Sequence, residues 1–505
     1  MSKQLSYQLF NLIKRLTKSE KRHFKLYASR NISEKEPLTI KLFDVFERQK
    51  SYDEKKIGQA FPQLKPNTLS NQKAHLYELL LGSLRLLHHH DPKIRIKELI
   101  SYADVLHLKG LYRQSLGQLQ KAKQLAETHQ VDILRLEIIE LEKQIESRYV
   151  TRSHSERAQE LINESRELRK RFYFQGSWSD MALSMYDYYL KFGHTKNQEE
   201  HNRIHSFFHE NIPDEQELEI IHAYQCYVWF YYITQDFVQC YRYTRKWCDL
   251  YEKDGALMEN EPEMYLRGLH NALSALYYCD DGPRFRKELK KLKDFVESRS
   301  DGFNENQLTQ AFIYLETANL NLFFIEGKFT EGAEYCKGFE KRMKDQEDKL
   351  DIHRVMVFHY KMASLKFGSA DFHGAVQHLN FIINHPNLAL KEDIQCFARI
   401  LNLIVHYELG NDDLIDFQIK STYRFLLKLK DYQKVQSAMF GFLKKSVYMD
   451  RKQLIPNFKS LREELIDILE DPYERRPTLY LDVISWLESK IENKPVEQII
   501  RAKKK

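Results

Sequence analysis

From the start of the chain, apolar residues recur every three or four positions rather than every two, the period of helices. Leu5, Leu9, Leu12, Ile13 and Leu16 share one stripe, and Thr17-Lys-Ser-Glu20 is a capping box that opens a second helix through Phe24 and Leu26. Pro37 starts a third, with Ile40, Phe43, Val45 and Phe46 as core positions. Ser51-Tyr-Asp-Glu54 offers another capping box ahead of a helix over 53–61 that carries Ile57 and Phe61. After a turn from Pro62 to Pro66, a longer helix runs from Asn67 to about His88, with Leu69, Leu76, Leu79, Leu80, Leu84 and Leu87 on its apolar side. Asp91-Pro92 breaks the pattern and places a boundary near residue 92.

Beyond that boundary a small motif recurs: an aromatic residue, a small residue three positions later, and a Gly, Ala or polar residue two positions before. Its copies are Gly110-Leu-Tyr112-Arg-Gln-Ser115, Gln235-Asp-Phe237-Val-Gln-Cys240, Gly327-Lys-Phe329-Thr-Glu-Gly332 and Ala370-Asp-Phe372-His-Gly-Ala375. The aromatic positions are separated by about three, two and one steps of ~42–46 residues, a spacing that predicts an array of helical hairpins. A tight turn between antiparallel helices wants a residue that tolerates an unusual backbone angle. The ring then plugs the gap beneath the turn, and the small residue lets the second helix approach the first.

The run Ala103-x-x-Leu106-x-x-x-Gly110-x-Tyr112-x-x-Ser115, followed by Leu119 and Ala122, resembles the tetratricopeptide repeat signature, and Ala363 through Ala375 echoes it. The period exceeds the ~34 residues of that family, so the resemblance is to a divergent, tetratricopeptide-like helical-repeat type. It implies an all-α fold: a right-handed superhelical array of antiparallel helix pairs over 93–472, preceded by a helical bundle over 1–92. Over 473–505, Tyr473-Glu-Arg-Arg-Pro477 resets the chain. Leu479, Leu481, Val483, Ile484, Trp486, Leu487 and Ile491 then form a capping helix, followed by a frayed basic tail at Lys503-Lys-Lys505.

Composition agrees with helices on short loops. Glycine and proline, 17 and 12 in 505 residues, stand at about half their usual share. No apolar stretch is long enough to span a membrane, and the beginning of the chain does not read as a signal peptide. The six cysteines are widely spaced, the pattern of buried thiols in a reduced, cytoplasmic protein. The net charge of +6 divides unevenly: residues 1–100 hold 20 Lys and Arg against 10 Asp and Glu, which leaves 58 against 62 in the remainder.

Candidate chemistry is sparse. His201, His205 and His209 recur at i, i+4 and i+8, too extended along a helix for one ion, and no acidic or cysteine ligand stands at a diagnostic distance. Gly-rich phosphate cradles and the hydrolase Gly-x-Ser-x-Gly elbow are absent. No catalytic residue, metal or cofactor is expected, and the chain does not read as an enzyme.

Two binding surfaces are expected instead. Tyr227, Tyr231, Tyr243 and Trp247 belong to a segment with more rings than one helix face can bury, so they line a concave groove as anchors for a peptide, or else fill a core poor in leucine. Lys65, Asn71 and Lys73 sit where the second helix of a helix-turn-helix begins, residue types that read DNA. The first surface makes the chain a protein-interaction scaffold whose partner is another protein or peptide. The second makes it a transcriptional regulator that binds DNA, similar to receptors joining a helix-turn-helix to tetratricopeptide-like repeats.

Overall fold

The computed structural model describes residues 3–29, 38–148, 156–212, 221–385, 392–426, 434–446, 451–474 and 482–504. Pro37, Pro477, Leu479, Leu481 and Lys505 lie outside them. Every regular element among the described residues is helical, and no strand occurs. The chain divides into two compact units, 1–172 and 173–505.

The first unit begins with α1 (Lys3–Arg15), α2 (Lys18–Ser29), α3 (Leu38–Arg48), α4 (Glu54–Ala60) and α5 (Pro66–Leu87). Leu9, Ile13, Phe24, Phe43, Phe46, Ile57, Leu76 and Leu80 form their shared core. The capping box at Thr17 closes in both directions: Glu20 N–H donates to Thr17 Oγ1 at 3.2 Å, and Thr17 N–H to Glu20 Oε2 at 2.7 Å. The one expected at Ser51 does not cap α4. Asp53, two residues nearer the helix, accepts from the N–H groups of Lys55 and Lys56 and satisfies two donors with one carboxylate.

A separate core follows residue 92, in α6 (Pro92–Leu108), α7 (Tyr112–Thr128) and α8 (Asp132–Arg148), built on Ile96, Ala103, Leu119, Ala122 and Ile138. The expected boundary near 92 thus separates two apolar clusters within one compact unit. The 36-residue α9 (Arg157–Phe192) contains the division between the units.

The second unit contains α10 (Gln198–Asn211), α11 (Ile221–Ile233), α12 (Phe237–Lys253), α13 (Gly255–Asn260), α14 (Pro262–Tyr278), α15 (Gly282–Arg299), α16 (Glu305–Glu326) and α17 (Phe329–Asp345). It continues through α18 (Ile352–Gly368), α19 (Phe372–Ile383), α20 (Glu392–Leu409), α21 (Asp412–Leu426), α22 (Lys434–Ser446), α23 (Arg451–Ile468), α24 (Val483–Glu492) and α25 (Val496–Lys503). Helices joined by a tight turn pack against each other, as in α11/α12, α14/α15, α16/α17, α18/α19 and α20/α21. The first helices of successive pairs also pack: α14 on α16, α16 on α18, α18 on α20.

One turn geometry makes these pairs. The residue two before the second helix is left-handed at Gly110, Gln130, Gln235, Asp280, Gly327, Ala370 and Gly410, with φ between 51° and 74°. In six of the seven the next N–H reaches back to a carbonyl five residues earlier, as Lys328 to Phe323 at 2.9 Å and Asp371 to Lys366 at 2.8 Å, which satisfies carbonyls the first helix leaves free. Where Asp follows, it also caps the second helix: Asp236, Asp281 and Asp371 accept from the N–H groups of Gln239, Arg284 and Gly374. The small residue works as expected. Ser115 Oγ donates to Ala103 O at 2.8 Å and Cys240 Sγ to Val228 O at 3.7 Å, each twelve residues back across its hairpin.

Val483, Trp486 and Leu487 of α24 enter the core with α20, where Trp486 Nε1 donates to Glu408 Oε1 at 2.7 Å. α25 covers the Gly327 turn. Arg501 Nε donates to Gly327 O at 3.0 Å, while Lys504 donates to Phe324 O and Ile325 O at 2.9 and 2.7 Å. Of the three lysines expected to fray, the two described are engaged: Lys504 neutralises the C-terminal end of α16, and Lys503 pairs with Glu488.

Candidate functional site

The aromatic segment is largely a packed cluster. The rings of Tyr227 and Tyr243 stack at 4.4 Å, with Tyr231 5.4 Å from Tyr243. Trp247 is only 1% exposed and Tyr227 is also buried, whereas Tyr231 and Tyr243 are half-buried. The cause is Gly268 of α14: a β-carbon there would stand 3.5 Å from Trp247 Nε1 and 2.9 Å from Cys248 Sγ, so α12 and α14 close directly over the indole.

In the first unit Lys65 and Asn71 are exposed, but Lys73 is 2% exposed with its ammonium 2.5 Å from Glu54 Oε1. Lys73 is turned into the α4–α5 contact and does not share a face with Asn71. His201, His205 and His209 follow one another along α10, and no group of three or more His, Cys, Asp or Glu able to hold a metal occurs among the described residues. The six cysteines are free thiols. Burial pushes Cys226, Cys240 and Cys336 up to about 12, and Cys248 also upward, so these four stay protonated at neutral pH.

Several half-buried or partly covered cations of the second unit are paired: Arg245 with Asp249, Glu252 and Glu288, Lys291 with Glu252, and Arg342 with Glu316. Lys366 of α18 meets Glu340 of α17 at 3.1 Å.

Arg267 of α14 and Arg354 and Lys361 of α18 have no ion-pair partner among the described residues. Around them, His270 stacks on Tyr314 of α16 with centroids 4.1 Å apart and planes 11° from parallel. The Lys361 ammonium donates to Asn321 Oδ1 at 2.6 Å and lies 5.6 Å from the Phe324 ring and 5.1 Å from that of Tyr277. Burial lowers Lys361 to about 8. Burial first, then the charges of Arg354, Arg267 and Lys361, lowers His270 to about 3, so its imidazole is neutral at physiological pH. This face thus combines three uncompensated cations, Arg267 exposed and Arg354 and Lys361 half-buried, with the rings of His270, Tyr277, Tyr314 and Phe324, an arrangement suited to a ligand that brings negative charge and apolar surface together.

No protein-family model, curated protein or solved structure matches the chain.

Sequence reasoning misses Arg267, Arg354 and Lys361 because it follows rings rather than unpaired charge. A signal is nevertheless present: α18 carries no Asp or Glu in its 17 residues, while Arg354 and Lys361 stand seven apart on one stripe.

Proposed function

We propose that the protein is a non-enzymatic interaction scaffold, its helix pairs forming a right-handed, tetratricopeptide-like superhelical array whose first helices line a groove for a peptide or helix of another protein. The observation that carries this reading is Lys361. From α18 it reaches Asn321 on α16 and the Tyr277 ring on α14, so three successive first helices contribute to one face. A face of this kind gains one helix with each added pair, which suits an extended ligand. Its free cations favour an acidic segment, and its rings favour apolar side chains beside the acids. The six free thiols suit a reducing compartment, the cytoplasm. No helix among the described residues is long and apolar enough to cross a membrane.

The test is affinity capture with the full chain and with an Arg354→Glu, Lys361→Glu double variant of matched helix content. Capture of a reproducible protein by the wild type and its loss from the variant is the expected result. Equal capture by both, or none by either, refutes the reading.

A further inference from the structure

A second polar cluster lies within the core, apart from the cationic face. α20 is buried from Ile394 to His406, its own Ile400, Leu401, Leu403 and Ile404 sharing a core with Met439, Leu443, Phe458 and Trp486 of other helices. Along this stretch Gln395, Arg399 and Asn402 follow at i, i+4 and i+7 and so share one side of the helix. They are 0%, 8% and 1% exposed. Among the described residues, neither amide atom of Gln395, neither of Asn402, nor Nε of Arg399 has a hydrogen-bond partner. The guanidinium donates from Nη1 to Ser421 Oγ on α21 at 3.3 Å and lies 4.6 Å from the Phe425 ring of the same helix. No carboxylate among the described residues pairs with it.

Protein interiors leave few polar groups unpaired, and here four amide atoms and Nε of a buried guanidinium lack partners together on one helix side among the described residues. Water can pair amides, but it leaves the charge of a guanidinium uncompensated. The missing partner must bring negative charge to Arg399 and hydrogen-bonding atoms to both amides. We propose that Gln395, Arg399 and Asn402 form the binding site of a small oxyanion, a carboxylate or phosphate group, enclosed between α20 and α21. The guanidinium and the two amide NH2 groups donate to its oxygens. The amide carbonyls are left to accept from a hydroxyl or amine elsewhere on the ligand, so a hydroxy acid, an amino acid or a phosphorylated alcohol fits better than a bare ion. Because the site is enclosed, a ligand enters or leaves only as α20 and α21 part, and a tightly held one survives purification.

The experiment has two arms on the full chain. Native mass spectrometry of the purified protein, compared with its denatured mass, reads a retained ligand. Thermal melting with sodium phosphate or sodium glutamate, each against sodium chloride at equal ionic strength, reads an added one and separates phosphate from carboxylate sources. The expected result is an excess native mass, or a rise of about 2 °C or more with one probe at a hundredfold excess over its Kd. That signal should vanish in Arg399→Met, with Gln395→Leu as the second variant should the first fail to fold. A bare native mass with no rise from either probe overturns the proposal, as does a signal that persists in the folded variant.

Discussion

The ring of Phe329, first residue of α17, occupies the space that a β-carbon on Gly368 of α18 would need. One hairpin's aromatic residue therefore seats on the next pair rather than only beneath its own turn. Phe237 does the same, stacking on Tyr278 of α14 at 4.4 Å.

Gly368→Ala should destabilise the second unit by about 1–3 kcal/mol, because overpacking at a ring outweighs the gain in helix propensity. Gly441→Ala, inside α22 with open space around it, should stabilise by up to ~1 kcal/mol. Urea denaturation of both variants checks the contrast, and equal effects would contradict the seating of Phe329.

Ala370 holds the left-handed turn position at φ 64°, a conformation that costs an L-residue about 1–2 kcal/mol. Ala370→Gly should therefore stabilise, by up to ~1 kcal/mol after the greater freedom of glycine in the unfolded chain is subtracted. Gly327→Ala should lose more than the backbone strain alone, since its β-carbon would meet Arg501 Cγ at 3.2 Å and Ile500 Cγ2 at 3.3 Å. Deleting residues 496–505 in the Gly327→Ala background should remove that extra loss, and melting temperatures of the four chains give the comparison.

Trp247→Ala and Lys361→Met should behave oppositely. The first empties a fully buried site and costs about 3–5 kcal/mol, so lost capture there would report unfolding. The second replaces a half-buried ammonium that has no counter-charge, and it should leave stability unchanged or higher while weakening an acidic ligand about tenfold or more. Melting curves together with anisotropy titration of a captured partner's acidic segment decide between these outcomes.

Lys361 also sets a pH dependence. Its folded value, about 8, lies below the ordinary lysine value of 10.5, so between those limits the unfolded chain holds a proton that the folded chain has released. Stability from this group accordingly rises with pH over that interval, and below it the desolvated charge is an unrelieved cost. Lys361→Met lacks the effect, so its stability advantage over wild type should narrow from pH 8 to 10.5. Affinity of the wild type for an acidic ligand should fall over the same range.

The turns are the most legible feature of the sequence. All four positions chosen as tolerant of an unusual backbone angle, Gly110, Gln235, Gly327 and Ala370, are left-handed. The turn at Asp280 escapes the motif because its two key residues are exchanged. Small Gly282 stands where a ring is expected, with room for a β-carbon only 3.1 Å from Ile325 Cγ2, and fully buried Phe285 stands where a small residue is expected. The pair of volumes is kept while their order is reversed, which a pattern of residue types does not register. Burial at the candidate sites was less legible. Whether Trp247 lines a groove or a core depends on Gly268, twenty-one residues on, and whether Lys73 is free depends on Glu54 across a turn. Helical periodicity fixes which side of a helix a residue occupies, but the element that covers that side is set by the neighbouring pair.

The α25 helix bears on how the chain is made. Arg501 reaches Gly327 across 174 residues and Lys504 reaches Asp280 across 224. During synthesis at ~5–20 residues per second, the Gly327 turn waits roughly ten to thirty-five seconds for the residue that covers its carbonyl. An array whose units touched only their neighbours could be completed pair by pair as it emerged. Here the α16–α17 hairpin is formed early and sealed late, so a nascent chain stalled before residue 496 should expose that turn to protease while the hairpins on either side are already closed.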